Sequence, residues 1–345
     1  MPPFAPSERV ILLGAGATLG SIFPPGFTPE CRPPLNADFF TQLQRITSKH
    51  QKLIRQVMSD VVGLFGSNFS LTLEEYFTQL EFLAEAVELT PAKGGAFSTS
   101  DLRTKRERLM GALAAVLEMS TDVAVRKGGG CELHERLVGE LEAKDTVITF
   151  NYDCVLDHAL RRHGAGKWGT RYGYTIPTEY TIENEDAWDA DPPASASTKS
   201  IHLLKMHGSL NWQVSDSEQH IKMKRRLHRT NGIPQFTVIP PVWNKRAMDQ
   251  DLFRIVWRNA ERAIRNARHI AVVGFSFTPT DLGVQSLFRV ALAKSNLKTL
   301  VIANPSQTDR GHVRAVFAKA LEGNVMVRQY QDFAAFLDAY PGCFS

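Results

Sequence analysis

Arg9-Val-Ile-Leu-Leu-Gly-Ala-Gly-Ala-Thr-Leu-Gly20 decides how the rest of the chain is read. An aliphatic run, Val10 to Leu13, goes straight into glycines, which is the pattern of a buried parallel strand ending in a tight turn. The same grammar returns downstream. Thr146–Phe150 precedes Asn151-Tyr-Asp153, Ile201–Met206 precedes His207-Gly-Ser209, and Phe236–Ile239 precedes Pro240-Pro241. His269–Val273 precedes Gly274-Phe-Ser276, Thr299–Ala303 precedes Asn304-Pro305, and Val325–Arg328 has the composition of a last strand. Strands of this kind predict an α/β, Rossmann-like fold: a mostly parallel sheet of about six strands with helices on both faces. Ligands of open α/β sheets bind outside the carboxyl ends of the strands, where these polar residues fall.

Between the first two strands lies about a hundred residues of helical pattern. Phe39, Phe40, Leu43 and Ile46, then Leu53, Ile54, Val57, Val61 and Leu64, recur at three-to-four spacing. Thr72-Leu-Glu-Glu75 has capping-box spacing and opens a helix carrying Tyr76, Phe77, Leu80, Leu83 and Val87. A third helix runs from near Asp101 through Leu117, and a fourth holds Leu133, Leu137, Val138 and Leu141. Two units are therefore expected: residues 1–35 with 144–345 as the Rossmann-like domain, and 36–143 as a large helical insertion. Glu183–Ser200, acidic and then rich in small residues, reads as a mobile loop. The basic run Lys222–Arg229 reads as a solvated face, with a phosphate or nucleic-acid contact as the alternative.

At 345 residues the chain suits about two domains. With 43% apolar and 22% charged residues it can bury a core, which excludes collagen-like and wholly disordered classes. A net charge of +4 is too mild for a dedicated nucleic-acid binder. No apolar run approaches the ~20 residues of a membrane span, and the first residues lack a secretory layout, so a cytoplasmic protein is expected. Cys31, Cys131, Cys154 and Cys343 form no C-x-x-C pair, which speaks against a zinc ribbon and for free thiols in a reducing compartment.

Gly14-Ala-Gly16-Ala-Thr18-Leu-Gly20 approximates the dinucleotide fingerprint, with the third glycine one position late. The first two glycines would let the backbone approach a pyrophosphate, favoured by a following helix start. Asn151 and Asp153 suit a helix cap, and His207 alone suits ordinary structure. Gly274-Phe-Ser276-Phe-Thr278 lacks the closing glycine of a nucleophile elbow, so it reads better as a second backbone approach to a nucleotide than as a serine hydrolase. The helical spacing of Trp257, Ala260, Ile264 and Ala267 reads as packing.

The order of these segments resembles the sirtuin family. Its Gly-Ala-Gly-x-Ser loop, Gln-Asn-Ile-Asp segment, His-Gly, Gly-Thr-Ser and Ile-Asn correspond here to Gly14–Thr18, Phe150–Asp153, His207-Gly208, Gly274–Ser276 and Asn304. Sirtuin deacylases carry a module with two C-x-x-C pairs on zinc, which this chain cannot build. The missing module, the helical insertion and Pro240-Pro-Val-Trp-Asn-Lys245 resemble the bacterial sirtuin-like NADases, which deplete NAD in antiviral defence. The resemblance implies Asn151, His207 and Asp153 as catalytic residues. It implies Gly14, Ala15, Gly16 and Thr18 at the pyrophosphate, and Gly274, Phe275, Ser276 and Asn304 at the adenosine end. NAD+ would be the substrate and no metal would take part. A homo-oligomer is expected, with a separate sensor or ring-forming ATPase as partner.

The chemistry is economical. In NAD the nicotinamide is a cationic pyridinium that departs from the ribose as a neutral molecule, so no general acid is required, unlike an ordinary glycoside. The site must hold the carboxamide, tolerate positive charge growing on the ribose and admit water. An asparagine can hold the carboxamide or the water, Asp153 supplies negative charge, and His207 can take a proton near neutral pH. The alternatives are a deacylase or ADP-ribosyltransferase, or a subunit that binds NAD or ADP-ribose without turnover. A redox dehydrogenase fits less well, since no clear acidic residue follows on a second strand.

Overall fold

The computed structural model describes residues 4–345 apart from 22, 24, 25, 27, 90–96, 127, 128, 165, 186, 187, 189–199, 216, 226, 231, 232, 241–249, 279 and 280. Strand β1 (Arg9–Leu13) and the short α1 (Ala15–Leu19) lead into α2 (Phe39–Arg45), α3 (Gln51–Phe65), α4 (Leu73–Leu89), α5 (Thr99–Val125) and α6 (Glu132–Glu140). Then follow β2 (Thr146–Thr149), α7 (Val155–His163), α8 (Thr170–Gly173), β3 (Thr181–Glu185), β4 (His202–Lys205) and β5 (Gly208–Ser209). Next come β6 (Trp212–Ser215), β7 (His220–Lys224), β8 (His228–Thr230), β9 (Ile233–Gln235), β10 (Thr237–Val238) and α9 (Asp251–Asn266). The chain closes with β11 (His269–Val273), α10 (Leu282–Leu292), β12 (Thr299–Ala303), α11 (Gln307–Leu321), β13 (Met326–Tyr330) and α12 (Phe333–Asp338).

Six strands form one parallel sheet in the order β4-β2-β1-β11-β12-β13. Counted along the chain its strands lie 3-2-1-4-5-6, the doubly wound order. The direction of building reverses between β1 and β11, and that junction is where such sheets open a crevice. Successive side chains of a strand point to opposite faces. Ile11 and Leu13 accordingly pack with Leu133 and Leu137 of α6, Val155 and Leu160 of α7 and Phe336 of α12. Val10 and Leu12 pack on the other face with Val256 and Ile264 of α9, Phe288 of α10 and Phe317 of α11.

The helices between β1 and β2 build a third core around Phe39, Val57, Val61, Tyr76, Phe77, Leu109 and Leu113. Cys154 and Leu210, from the sheet-bearing part, belong to this same core. The capping box at α4 forms as read: Glu75 N–H donates to Thr72 Oγ1 at 3.2 Å, and Glu75 Oε2 accepts Thr72 N–H at 2.8 Å. His50, in the left-handed region at φ 62°, breaks the first apolar run into α2 and α3. Asp60 ties α3 to α5, accepting from Arg108 at 2.7 and 2.8 Å and from Lys105 at 2.6 Å.

Two expectations need correction. Phe236–Ile239 does not join the parallel sheet; only Thr237 and Val238 are extended, and they pair antiparallel with β5. Pro240, which has no N–H to donate, stops the strand at once. Glu183–Glu185 belongs to β3 rather than a loop, and lies parallel to the basic β7 with β6 beyond. Glu183 meets Lys222 and His220 at 3.3 and 3.1 Å, so the acidic and basic runs neutralise each other. Trp188 and Ser200 of the same stretch are buried, and the rest of it lies outside the described residues.

Opposite the carboxyl ends of the strands, Phe4 and Phe344 pack against the sheet. Phe4 packs on His202 at the start of β4, and Phe344 on His269 at the start of β11. Arg9 at the start of β1 donates to Asp145 Oδ1 at 3.1 Å and to Tyr340 Oη at 3.3 Å.

Candidate functional site

Four loops leave the carboxyl ends of β1, β2, β4 and β11. The first, Gly14–Leu19, folds against the last. Gly16 N–H donates to Gly274 O at 2.9 Å, and Ala17 N–H turns back to Gly14 O at 3.0 Å. A Cβ on Gly14 would lie 2.4 Å from Gly274 O, and one on Gly274 would lie 2.2 Å from Ala17 N. Gly274 also sits at φ +61°, a conformation that side chains strain. So these glycines are demanded by loop-on-loop packing at the reversal point. Gly20 is different, with φ −76° and only ordinary contacts, which agrees with its late position in the fingerprint. The expected helix start is only five residues long, and the Gly16 amide is already spent on Gly274. Ala15 is exposed at the rim.

Asn151 reaches this loop from β2. Thr149 Oγ1 donates to Leu13 O at 3.0 Å and accepts Asn151 N–H at 3.1 Å, which sets the turn. Asn151 Nδ2 then donates to Gly14 O at 2.9 Å and to Thr18 Oγ1 at 3.1 Å. Thr18 Oγ1 in turn donates to Asp153 Oδ2 at 2.9 Å, while Asp153 Oδ1 accepts Val155 N–H at 3.0 Å. Asp153 thereby also holds the turn that enters α7, one residue before its N-cap Cys154. Thr18, Asn151 and Asp153, scattered over the sequence, form one hydrogen-bonded set.

His207 follows β4, the neighbour of β2, and is 5% exposed. Its ring meets Phe150 edge-on at 5.0 Å between centroids and stacks on Tyr152 at 5.8 Å. Phe150 and Tyr152 flank Asn151, so the two expected catalysts stand on adjacent strand tips of the same sheet edge. The misassigned segment holds His207 in place: Ile239 N–H donates to His207 O at 2.9 Å, and Tyr152 Oη donates to Ile239 O at 2.9 Å. Gly208, at φ +77°, lets Thr237 O approach to 2.3 Å of where a Cβ would be.

Phe275 stacks on Phe150 with centroids 5.0 Å apart, extending the aromatic wall toward β11. Ser276 is half-buried beside it. Asn304 lies further out, after β12. Its Oδ1 accepts Ser306 N–H at 2.9 Å and its carbonyl accepts Arg310 at 2.8 Å, so both oxygens serve their own turn. Trp257 packs as read, its indole N–H donating to Met206 O at 2.9 Å.

Beneath the site runs a buried polar chain that periodicity alone does not reveal. Lys205 pairs with Asp157 at 3.0 Å, and Tyr174 Oη donates to Asp157 Oδ1 at 2.6 Å. Its signal in the sequence is a lysine inside an otherwise buried strand run, since lysine is almost never fully buried unpaired. Cys154, next to Asp153, is pushed up to about 12 by burial, so it stays a thiol rather than a nucleophile.

A family model described as the SIR2-like domain matches residues 145–322, more than half of the chain. The chain belongs to the SIR2-like family. The matched span holds Asn151, His207, Gly274 and Asn304; the Gly14 loop and the α2–α5 helices lie outside it. No curated protein matches the chain. An SIR2-like domain in an NAD-dependent setting suits the doubly wound sheet found here. Among the described residues no cluster of His, Cys, Asp and Glu is suited to a metal ion, and the four cysteines are free and buried apart. No described helix is long and apolar enough to cross a membrane. Pro241–Lys245, part of the sequence resemblance, lies outside the described residues.

Proposed function

We infer that this SIR2-like protein hydrolyses NAD+ to nicotinamide and ADP-ribose. The observation that carries the reading is the Asn151–Thr18–Asp153 set, hydrogen-bonded to the Gly14 loop at the point where the sheet reverses. A dinucleotide laid across that junction would bring its nicotinamide ribose to the β2 and β4 tips. There Asn151, its amide hydrogens held by the Gly14 loop, offers its Oδ1 to the carboxamide or to water, Asp153 supplies negative charge for the forming cation, and His207 takes the proton. Gly14, Ala15, Gly16 and Thr18 would face the pyrophosphate, with Gly274, Phe275, Ser276 and Asn304 toward the adenosine. The aromatic wall of Phe150 and Phe275 excludes water from one side of the bond that breaks. No metal is needed for a neutral leaving group.

Such an activity drains the cell of NAD+ when unrestrained. The wider reading is therefore a cytoplasmic effector of bacterial anti-phage defence, held inactive by self-assembly or by a separate sensor or ATPase. In that arrangement residues 36–143 form a helical subdomain and offer the interface. Purified protein should release nicotinamide from NAD+, and Asn151→Ala and His207→Ala should each lower that rate by at least about a hundredfold while melting with the parent. Full turnover in either folded variant removes that residue from the mechanism.

One observation favours a second reading, a subunit that binds NAD+ or ADP-ribose without turnover. Both amide hydrogens of Asn151 are engaged, on Gly14 O and Thr18 Oγ1. Stoichiometric ADP-ribose binding with no nicotinamide release, with and without proteins encoded beside it, would select that reading.

A further inference from the structure

Lys205 is the last residue of β4 and lies in the interior with its side chain 1% exposed, against 2% for Asp157. Taking an ammonium and a carboxylate out of water costs several kcal/mol each before their attraction is counted, and a well-packed apolar pair is often no less stable. Core stability is thus a weak reason for the pair to be here. Its location is more telling. Lys205 Nζ donates to Asp157 Oδ2 at 3.0 Å and also to the backbone carbonyl of Asp153. Asp157 lies on the first turn of α7 and is fixed from its other oxygen by Tyr174. Burial, the largest single influence, would drive the ammonium toward neutrality, but Asp157 and the other groups around it together outweigh burial and raise the pKa, so the donor keeps its charge.

One side chain therefore joins two loops. It grows from the strand that delivers His207 two residues later, and it grips the turn that carries Asn151 two residues before its carbonyl partner. On the far side of that turn, the Asp153 carboxylate accepts from Thr18, which accepts from Asn151. We propose that Lys205 is a positioning residue, fixing the Asn151–Asp153 turn relative to His207. The proposal rests on the hydrolase reading above, in which those two residues flank the bond that breaks.

The test uses the full chain. Lys205→Met alone strands the Asp157 charge in the core and can fail to fold, so it is paired with the double variant Lys205→Met/Asp157→Asn, which removes both charges and keeps the Tyr174 acceptor. Lys205→Arg serves as the conservative control. Nicotinamide release from NAD+ gives kcat and KM, and amide hydrogen exchange reads the 152–155 segment directly. The expected result is a double variant that melts with the parent and keeps KM within about threefold. Its kcat falls about a hundredfold, the size of effect an ångström-scale misplacement produces, and exchange at 152–155 quickens while β4 is unchanged. Lys205→Arg recovers much of the kcat. Parental kcat in the folded double variant, or failure of that variant to fold, assigns Lys205 to core stability and overturns the proposal. A wild-type protein that releases no nicotinamide overturns the hydrolase reading instead, and unchanged exchange at 152–155 would then still refute the tie itself.

Discussion

Gly14 and Gly274 meet back to back, and the absence of a side chain at each is what brings two loops together. Adding a methyl group at either place forces overlap with backbone atoms at 2.4 or 2.2 Å, and Gly274 adds a strained φ. Gly14→Ala and Gly274→Ala should each lower unfolding free energy by at least about 2 kcal/mol. Gly20→Ala, with an ordinary φ and only ordinary van der Waals contacts to meet, should change it by less than about 1 kcal/mol. Urea titrations of the three variants check this, and a Gly14→Ala as stable as Gly20→Ala would contradict it. The glycines were legible in the sequence as a turn, but their partner was not. A fingerprint names a ligand as the thing approached, whereas here the missing side chains of Gly14 and Gly16 also make room for the loop at 274. Lys205 teaches the complementary lesson: its place in an apolar run was visible, but its carboxylate lies 48 residues upstream and nothing local announces it.

Among the elements, helices whose apolar residues repeat every three to four positions were read where they occur, because periodicity and caps are local properties. Pairings between distant segments were not. β3 and β7 are drawn together by opposite charges and adjacent β-hydrogen bonds, yet apart they look like an acidic loop and a solvated basic face. Phe236–Ile239 matched the strand grammar, but its extended part pairs antiparallel with β5 instead of entering the main sheet. Buried histidines on two elements set the acid response. Burial holds His158 of α7 down at about 3 and His202 of β4 down at about 4. In the unfolded chain both titrate near 6.5. Below that value the unfolded state binds protons that the native state does not, so stability falls as pH drops from about 6.5 toward 4. Urea midpoints measured from pH 7.5 to 5 should decline. His158→Gln can keep the donor to Arg225 O, a contact of 3.0 Å, and should flatten that decline. An unchanged slope in this variant would assign the acid sensitivity to other groups.

For the molecule as a whole, the parallel α/β class was legible because each strand of the main sheet announces itself by an aliphatic run and a polar tip. The order of those strands in space needed the structure. So did the fact that the helical layer between β1 and β2 shares a core with Cys154 and Leu210. Sharing a core predicts that the helical and sheet parts unfold together. The five tryptophans all follow residue 143, whereas much of the helix lies before it. Tryptophan fluorescence and far-ultraviolet circular dichroism therefore watch different parts of one chain. Their denaturation curves should coincide, and two separated midpoints would mean that residues 36–143 fold as an independent unit. The ends of the described chain, Phe4 on His202 and Phe344 on His269, lie at the amino ends of β4 and β11, a strand's length away from Asn151 and His207. Phe4→Ala or Phe344→Ala should therefore weaken only the far rim of the sheet, which supplies a loss of stability from which a loss of turnover arising at the crevice itself can be told apart.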